Sequence, residues 1–178
     1  MSSEHKIPGK SEQGGKAGAP AERTHKDKKE PPRDPEGIID MDILGQVFEM
    51  DELEDEDDED GAGGGHEFSK GIVWNYFEQA ESTFEKMYAA LQSKDLPQLS
   101  SLGHFLKGSS AALGVSKVKD SCEKMQHYGN LRDEEAAKTL SDAEALQKIK
   151  ELLVEVEEEY EEAAEWLKRY YREQEEDQ

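Results

Sequence analysis

The chain has 178 residues, with 43 acidic side chains against 22 basic ones, and its formal net charge is −21. This acidic excess argues against nonspecific binding to nucleic acid or to anionic lipid, because both are negatively charged. The single cysteine excludes an internal disulfide framework and a four-cysteine zinc site, and no stretch approaches the roughly 18 apolar residues of a membrane span.

Residues 1–37 are predicted to be a disordered N-terminal tail. Residues 1–35 carry eight basic and six acidic side chains, with Gly, Pro and Ser throughout. Ile7 is their only large aliphatic residue beyond Met1. Such a segment buries too little apolar surface to offset the entropy lost on ordering.

Residues 38–178 are predicted to form one helical domain that begins with a short amphipathic helix. Ile39, Ile43, Val47 and Met50 recur at helical spacing. An acidic and Gly-rich linker is then expected over residues 49–66. Ten of the twelve residues at 49–60 are acidic, and GAGGG follows. Like charges repel and Gly lowers backbone order, which favours a flexible linker.

Four further helices follow along the chain. The second helix of the domain is predicted over 68–91. The third is predicted to begin at Pro97, which suits a first helical turn, and to end at Ala112 or Leu113 with Gly114 as its C′ residue. Ser116 is expected to cap the fourth helix, over 117–128.

The last helix is predicted to begin near Ser141 or Asp142. Its apolar positions recur in alternating steps of three and four, which is a heptad seam: Leu146, Ile149, Leu153, Val156, Tyr160, Ala163, Leu167 and Tyr170. Helices that each carry one apolar stripe satisfy one another in a bundle. The predicted fold is therefore all-α, an antiparallel four-helix bundle with a short N-terminal helix and a long C-terminal helix.

The segment around His104 is the one place where the sequence points to chemistry. At about 100° per residue, one face of this helix carries the apolar and small side chains, predicted to be its core face: Leu102, Phe105, Leu106, Ser109, Ala112 and Leu113. His104 then points to solvent from the opposite side, with Gly103 and Gly108 leaving a low surface around it and Lys107 one turn away.

A neutral imidazole is a good nucleophile near pH 7, and Lys107 would support a phosphoryl group placed on it. The alternative is an ordinary surface histidine whose neighbouring glycines are incidental or permit close helix packing.

The run GHFLKGSSAALG, residues 103–114, closely resembles the phosphorylation-site motif of fungal histidine-containing phosphotransfer (HPt) proteins, the middle carriers of multistep His–Asp–His–Asp phosphorelays. The similarity extends to the acidic run after Asp51, to FSKG at 68–71 and to CEKMQ at 122–126, so it covers about residues 38–130. The N-terminal extension and the GAGGG insertion depart from the compact family pattern.

The resemblance implies a role for four residues. His104 would be the phosphoacceptor, and Lys107 the cation beside the phosphate. Gly108 would give clearance to the incoming partner. Gln126 would correspond to the family's glutamine that hydrogen-bonds near the histidine, unless it is simply a solvated helix residue.

The resemblance also implies a docking surface. Ile43 and Val47 are expected to contribute to it, although core packing of the short helix would explain them equally well. Phe105 and Ala111, beside the histidine, are expected to contact the partner as well.

The function implied is transfer of a phosphoryl group from a receiver-domain aspartate of a hybrid histidine kinase, through His104, to the aspartates of response regulators. Stress signalling in a fungus, in cytoplasm and nucleus, is implied too. The carrier is expected to be a monomer without an ATP site or a cofactor of its own, and Mg²⁺ is expected on the receiver. The rival hypothesis is an acidic coiled-coil adaptor or histone-chaperone-like protein that dimerises through 146–170.

Overall fold

The computed structural model describes residues 37–54 and 66–176. Within these ranges the fold consists of five helices and one small hairpin. The helices are α1 (Met41–Glu54), α2 (Glu67–Gln92), α3 (Leu96–Ala112), α4 (Ser116–Gly129) and α5 (Asp142–Glu176). The two-residue strands β1 (Arg132–Asp133) and β2 (Lys138–Thr139) pair antiparallel between α4 and α5. The predicted all-α class is confirmed, while the predicted tail, apart from Gly37, lies outside the described residues.

Helices α2 to α5 form the antiparallel four-helix bundle. Helix α3 packs on α2 and α4, and α5 packs on the other side of the same two helices. The heptad positions of α5 from the second onward are buried inside this bundle: Ile149, Leu153, Val156, Tyr160, Ala163, Leu167 and Tyr170. The seam is therefore covered within the chain, which contradicts an adaptor that dimerises through it. In the described ranges no helix combines the length and apolar character needed to cross a membrane.

The ends of the helices mostly follow the local sequence. The Asp95 carboxylate accepts a hydrogen bond from the backbone N–H of Gln98 and caps α3. Gly114 has φ +71°, a left-handed conformation that suits the residue after a helix. Helix α5 begins with a capping box in which Ser141 and Glu144 each accept a hydrogen bond from the other's backbone N–H, at 3.2 and 2.9 Å.

The prediction that Ser116 caps α4 is wrong. The residue before the helix is Val115, and its side chain makes no capping hydrogen bond. The Ser116 hydroxyl donates instead to the carbonyl oxygen of Gly114. This carbonyl also accepts the backbone N–H of Asp40 at 2.7 Å, and Val115 forms a bridge with Ile39, so the α3–α4 turn is held by the segment that leads into α1.

Helix α1 presents a different face to the core from the one predicted. Leu44 is fully buried, and the ring of Phe48 stacks on that of Tyr170 with centroids 4.6 Å apart. Ile39 precedes the helix, and Met50 is 46% exposed. The buried face consists of Leu44, Phe48 and Asp51, each one position after the residue predicted there. The sequence pattern missed this face because its third member, Asp51, is not apolar.

Asp51 also corrects the predicted linker, since α1 continues to Glu54 through residues assigned to the linker. The Asp51 carboxylate is 5% exposed, accepts the backbone N–H of Ser69 at 2.7 Å, and lies 3.1 Å from Nδ1 of His66. A carboxylate at a helix N-terminus satisfies backbone donors that the helix itself leaves unpaired. One acid of the charged run therefore caps α2 from α1, and residues 55–65 of the predicted linker lie outside the described residues.

The backbones of α3 and α4 approach each other closely. A Cβ on Gly103 would stand 3.0 Å from the carbonyl oxygen of Cys122 and 3.1 Å from the backbone nitrogen of Gln126. A Cβ on Gly129 would stand 2.8 Å from the backbone nitrogen of Ser100. Two glycines thus let the two backbones approach, which fixes the register of α3 against α4.

We expect Gly129→Ala to destabilise the protein by about 1–3 kcal/mol, because the added methyl group meets backbone atoms that must shift. The matched control is Gly71→Ala in α2, where a Cβ meets nothing within 4 Å. This control should raise stability by up to about 1 kcal/mol through helix propensity alone. Urea unfolding followed by circular dichroism measures both, and equal effects of the two changes would contradict the close contact.

Candidate functional site

His104 is exposed on the outer side of α3, as the helical periodicity predicts. The inner side of α3 is formed by a different set from the one predicted, namely Leu99, Leu102, Gly103, Leu106, Ser110 and, just after the helix, Leu113. Phe105 is 50% exposed and Ala112 is exposed, so their assignment to the core is wrong. The centre of the buried face is turned toward Gly103 because α4 packs directly against that glycine. Phe105 is left in solvent immediately beside the histidine.

The two glycines that flank His104 have different environments. Gly108 is exposed, and a Cβ there would meet nothing within 4 Å, so it leaves open space one turn beyond the histidine. Gly103 is buried against α4 and adds nothing to the outer surface. The prediction of a low surface therefore holds for Gly108, while Gly103 permits close helix packing.

Lys107 lies one helical turn from His104, and its ammonium group is bound to a carboxylate that the sequence analysis missed. Its Nζ donates to Oε1 of Glu123 on α4 at 2.8 Å. This hydrogen bond and the positive charge of Lys107 hold the pKa of Glu123 below its ordinary value. Both side chains are partly open to solvent, 32% and 45% exposed, so the pair positions the lysine more than it stabilises the fold.

Gln126 lies on α4 directly against Gly103, the residue that precedes His104. Its backbone carbonyl accepts the hydroxyl of Ser100, which ties α4 to α3. Its side-chain Oε1 is buried and has no hydrogen-bond partner in the described part of the chain. The structure thus places Gln126 next to the histidine's helix with a free acceptor, and its role near the phosphorylated group stays a prediction.

Helix α2 supports α3 from the other side. The hydroxyl groups of Tyr76 and Ser110 lie 3.0 Å apart in the core, and Ser109 donates to Gln79 at 3.4 Å. Burial raises the pKa of Tyr76 above its ordinary value, so this phenol stays protonated. With α4 packed on one flank and α2 on the other, α3 presents His104 from a rigid support.

The three remaining predicted docking residues are half-buried. Val47 packs partly against the core, and Ile43 lies beside Gly114 at the end of α3. Ala111 lies on α3 itself, two turns beyond His104. Core packing and surface exposure are therefore combined at Ile43 and Val47, and their contact with a partner stays a prediction.

A comparison with protein families identifies the domain. The family model described as "Hpt domain" matches residues 71–169, which is more than half of the chain and runs from α2 through α5. The chain belongs to the Hpt domain family. Helix α1, with Ile43 and Val47, precedes the matched residues of this Hpt domain.

Relatives of this Hpt domain are found in fungi. It is 47% identical over 135 residues to Multistep phosphorelay regulator 1 of Schizosaccharomyces pombe, which covers 75% of this chain and 42% of the relative. It is also 39% identical over 115 residues to Phosphorelay intermediate protein YPD1 of Saccharomyces cerevisiae, and this alignment covers 61% of this chain and 62% of the relative. The chain therefore spans only about half of the length of the relatives it matches.

A solved structure shares the fold over nearly all of its own length. It is the co-crystal structure of the Saccharomyces cerevisiae histidine phosphotransfer signaling protein Ypd1 and the receiver domain of its downstream response regulator Ssk1. The similarity has a TM-score of 0.61 at 33% sequence identity and covers 78% of this chain and 97% of that chain.

We expect the Glu123 carboxyl group to titrate below the ordinary glutamate value of about 4.3, and Lys107→Ala to raise its pKa. Because the folded-state pKa is lowered, the pair contributes stability that is fully present above the unfolded-state pKa and is lost as the pH falls from there through the folded-state pKa. NMR titration of the side-chain carboxyl carbon measures the shift. Lys119→Ala is the control, since Lys119 contributes least to lowering the pKa of Glu123. A larger shift from Lys119→Ala would contradict the Lys107–Glu123 pairing.

Proposed function

We propose that this chain is a phosphorelay carrier that accepts a phosphoryl group on His104 and passes it on. The observation that carries the proposal is the exposed imidazole on a rigid helix, with open space at Gly108 and the cation of Lys107 one turn along. The names of its fungal relatives, a phosphorelay regulator and a phosphorelay intermediate, support the same function.

The proposed step is an in-line displacement at phosphorus. The lone pair of Nε2 of His104 attacks the phosphorus of a phosphoaspartate on a receiver domain, and the bond from phosphorus to the aspartate oxygen breaks. The aspartate carboxylate leaves, and the imidazole carries the phosphoryl group. The reverse displacement, by the aspartate of a second receiver, discharges it. Lys107 would turn from Glu123 toward the new phosphoryl oxygens, since a dianionic group attracts the ammonium more strongly than one exposed carboxylate.

The proposed partners are receiver domains. The upstream partner is the receiver of a hybrid histidine kinase, and the downstream partners are response regulators. The co-crystal structure of Ypd1 with the Ssk1 receiver domain supports this choice for a chain of the same fold. Phe105, which is half exposed beside His104, is the apolar residue best placed to be covered by a receiver. Ala111, Ile43 and Val47 extend this docking surface.

The carrier contributes position rather than metal chemistry. In the proposal, the Mg²⁺ that phosphoryl transfer requires is held by the receiver, and the carrier works as a monomer without a cofactor of its own. Holding the nucleophile and the phosphorylated aspartate in line converts a bimolecular step into one within a complex. The proposal places the carrier in a stress-signalling relay, in both cytoplasm and nucleus.

We expect His104→Gln to abolish phosphoryl transfer from a phosphorylated receiver while the helical content stays unchanged. The substitution removes the only atom proposed to attack phosphorus and leaves an exposed position without core contacts. His127→Gln is the matched control, because His127 is a partly exposed helical histidine on α4. Radiolabel transfer between separated proteins measures both variants.

We expect the His127→Gln protein to accept radiolabel at the wild-type rate and the His104→Gln protein to accept none. Acid-labile phosphate on the His104→Gln protein would contradict the site.

We further expect Phe105→Ala to weaken receiver binding about tenfold or more, as is usual for a buried aromatic contact at an interface. Val154→Ala is the control. Val154 is 54% exposed on α5, against 50% for Phe105 on α3, so both changes remove an exposed apolar side chain. Titration calorimetry with a receiver domain measures the affinities, and equal losses for the two variants would show that the receiver does not cover Phe105.

A further inference from the structure

A groove runs between α2 and α5, outside the site at His104. It has a volume of about 680 Å³, and among the described residues its lining comes from these two helices. Helix α3 packs on α2 and α4 and contacts α5 only slightly, so the groove lies on a side of the bundle to which the histidine's helix contributes nothing. A protein bound in this groove would leave His104 accessible.

The floor of the groove is aromatic. Phe84 of α2 and Tyr160 of α5 lie with ring centroids 5.4 Å apart and are almost fully buried. Ala164, a small residue, leaves the space above them unfilled. Tyr88 is 38% exposed at one end, where its hydroxyl donates to Glu157 and holds the two helices together. The exposed part of the Tyr88 ring favours contact with apolar side chains.

The walls of the groove carry carboxylates in two rows. Glu81 and Glu85 stand on α2, and Glu157, Glu161 and Glu165 stand on α5, with successive members of each row four positions apart in the sequence. This spacing corresponds to about 6 Å along a helix. In the part of the chain that the structure describes, none of these five carboxylates is in a salt bridge.

The carboxylates of the walls affect the pKa of a phenol in the floor. Burial, and then the charge of Glu81 and its hydrogen bond, raise the pKa of the Tyr160 phenol above its ordinary value. Lys168 lies at the other end of the groove from Tyr88, and its Nζ stands 5.1 Å from the ring centroid of Phe77. Lys168 thus shows that a cation is accommodated against an aromatic ring at this end of the groove.

We propose that the α2–α5 groove binds a basic amphipathic helix of a partner protein. An apolar side chain of that helix would cover the exposed ring of Tyr88, and Lys or Arg side chains at four-residue spacing would pair with the two carboxylate rows. From Glu157 to Lys168 the groove is about 17 Å long, which suits a segment of about three helical turns. This second interface would hold the carrier at a scaffold or kinase while His104 exchanges its receivers, but the binding itself does not depend on the proposed function.

The test uses the full chain and a synthetic amphipathic peptide about three turns long, with Leu on one face and Lys on both flanks. NMR titration should show amide shift changes that centre on Glu85, Tyr88, Glu161 and Ala164, and none at His104. Glu85→Lys/Glu161→Lys should weaken binding about tenfold or more, because two attractive contacts become repulsive.

The control variant is Glu78→Lys/Glu158→Lys. It changes the net charge by the same amount on the same two helices, at exposed residues outside the groove lining. Binding should fall less than about threefold, the effect of net charge alone.

Three outcomes would overturn the proposal. Equal losses in the two double variants would show general attraction to an acidic protein. Shift changes that centre on α3 would place the peptide at the receiver surface. Concentration-dependent dimers of the chain alone, disrupted by Glu85→Lys/Glu161→Lys in sedimentation, would make a second copy the occupant of the groove.

Discussion

The backbone contact between α3 and α4 is the constraint on which the rest of the site depends. Gly103 and Gly129 let the two helices approach more closely than any side chain would permit. This contact fixes which side of α3 faces inward, and so it turns His104 outward. It also brings Glu123 within 2.8 Å of Lys107 and places Gln126 against the residue before the histidine.

A phosphocarrier needs an accessible nucleophile on a support that does not move when a partner docks. Here the support is built by packing on both flanks, through the glycine contacts with α4 and the Tyr76–Ser110 hydrogen bond with α2. The outer surface is kept low by Gly108 and apolar by Phe105. Structure and chemistry are thus divided between the two sides of one helix.

The acidic side chains have several distinct roles. Asp51 caps α2 from α1, Glu144 closes the capping box of α5, and Glu123 holds Lys107. Hydrogen bonds from Ser141 and Lys138 lower the pKa of Glu144 to about 2, so this cap stays ionised over the whole physiological range. The net charge of −21 alone would have suggested an acidic adaptor, whereas these three carboxylates each have a structural role.

Much of the fold could be predicted because it depends on residues that are close together in the sequence. The heptad of α5, the proline in the first turn of α3 and the glycine at 114 each depend on residues a few positions apart. The outward direction of His104 follows from the same helical period. These features need no knowledge of what packs against them.

The features that could not be predicted depend on distant parts of the chain. Phe105 is exposed because α4 packs against Gly103 and turns the buried face away from it. Asp51 is held in α1 by its hydrogen bond to the N-terminus of α2. Because Asp51 lies within a run of acidic residues, the sequence does not distinguish it from the other acids of that run. The Lys107–Glu123 pair requires the register of α3 on α4. Gly103 and Gly129 indicate where α3 and α4 come close. The sequence alone, however, does not show which helix each glycine faces.

If one side chain carries the phosphoryl group, that group can be located directly on the wild-type protein. The chain is incubated with a phosphorylated receiver domain, digested under mildly alkaline conditions that preserve phosphohistidine, and mapped by mass spectrometry. We expect a single phosphoryl group, on His104. Phosphate on His127, His66 or a hydroxyl side chain, with His104 unmodified, would contradict it.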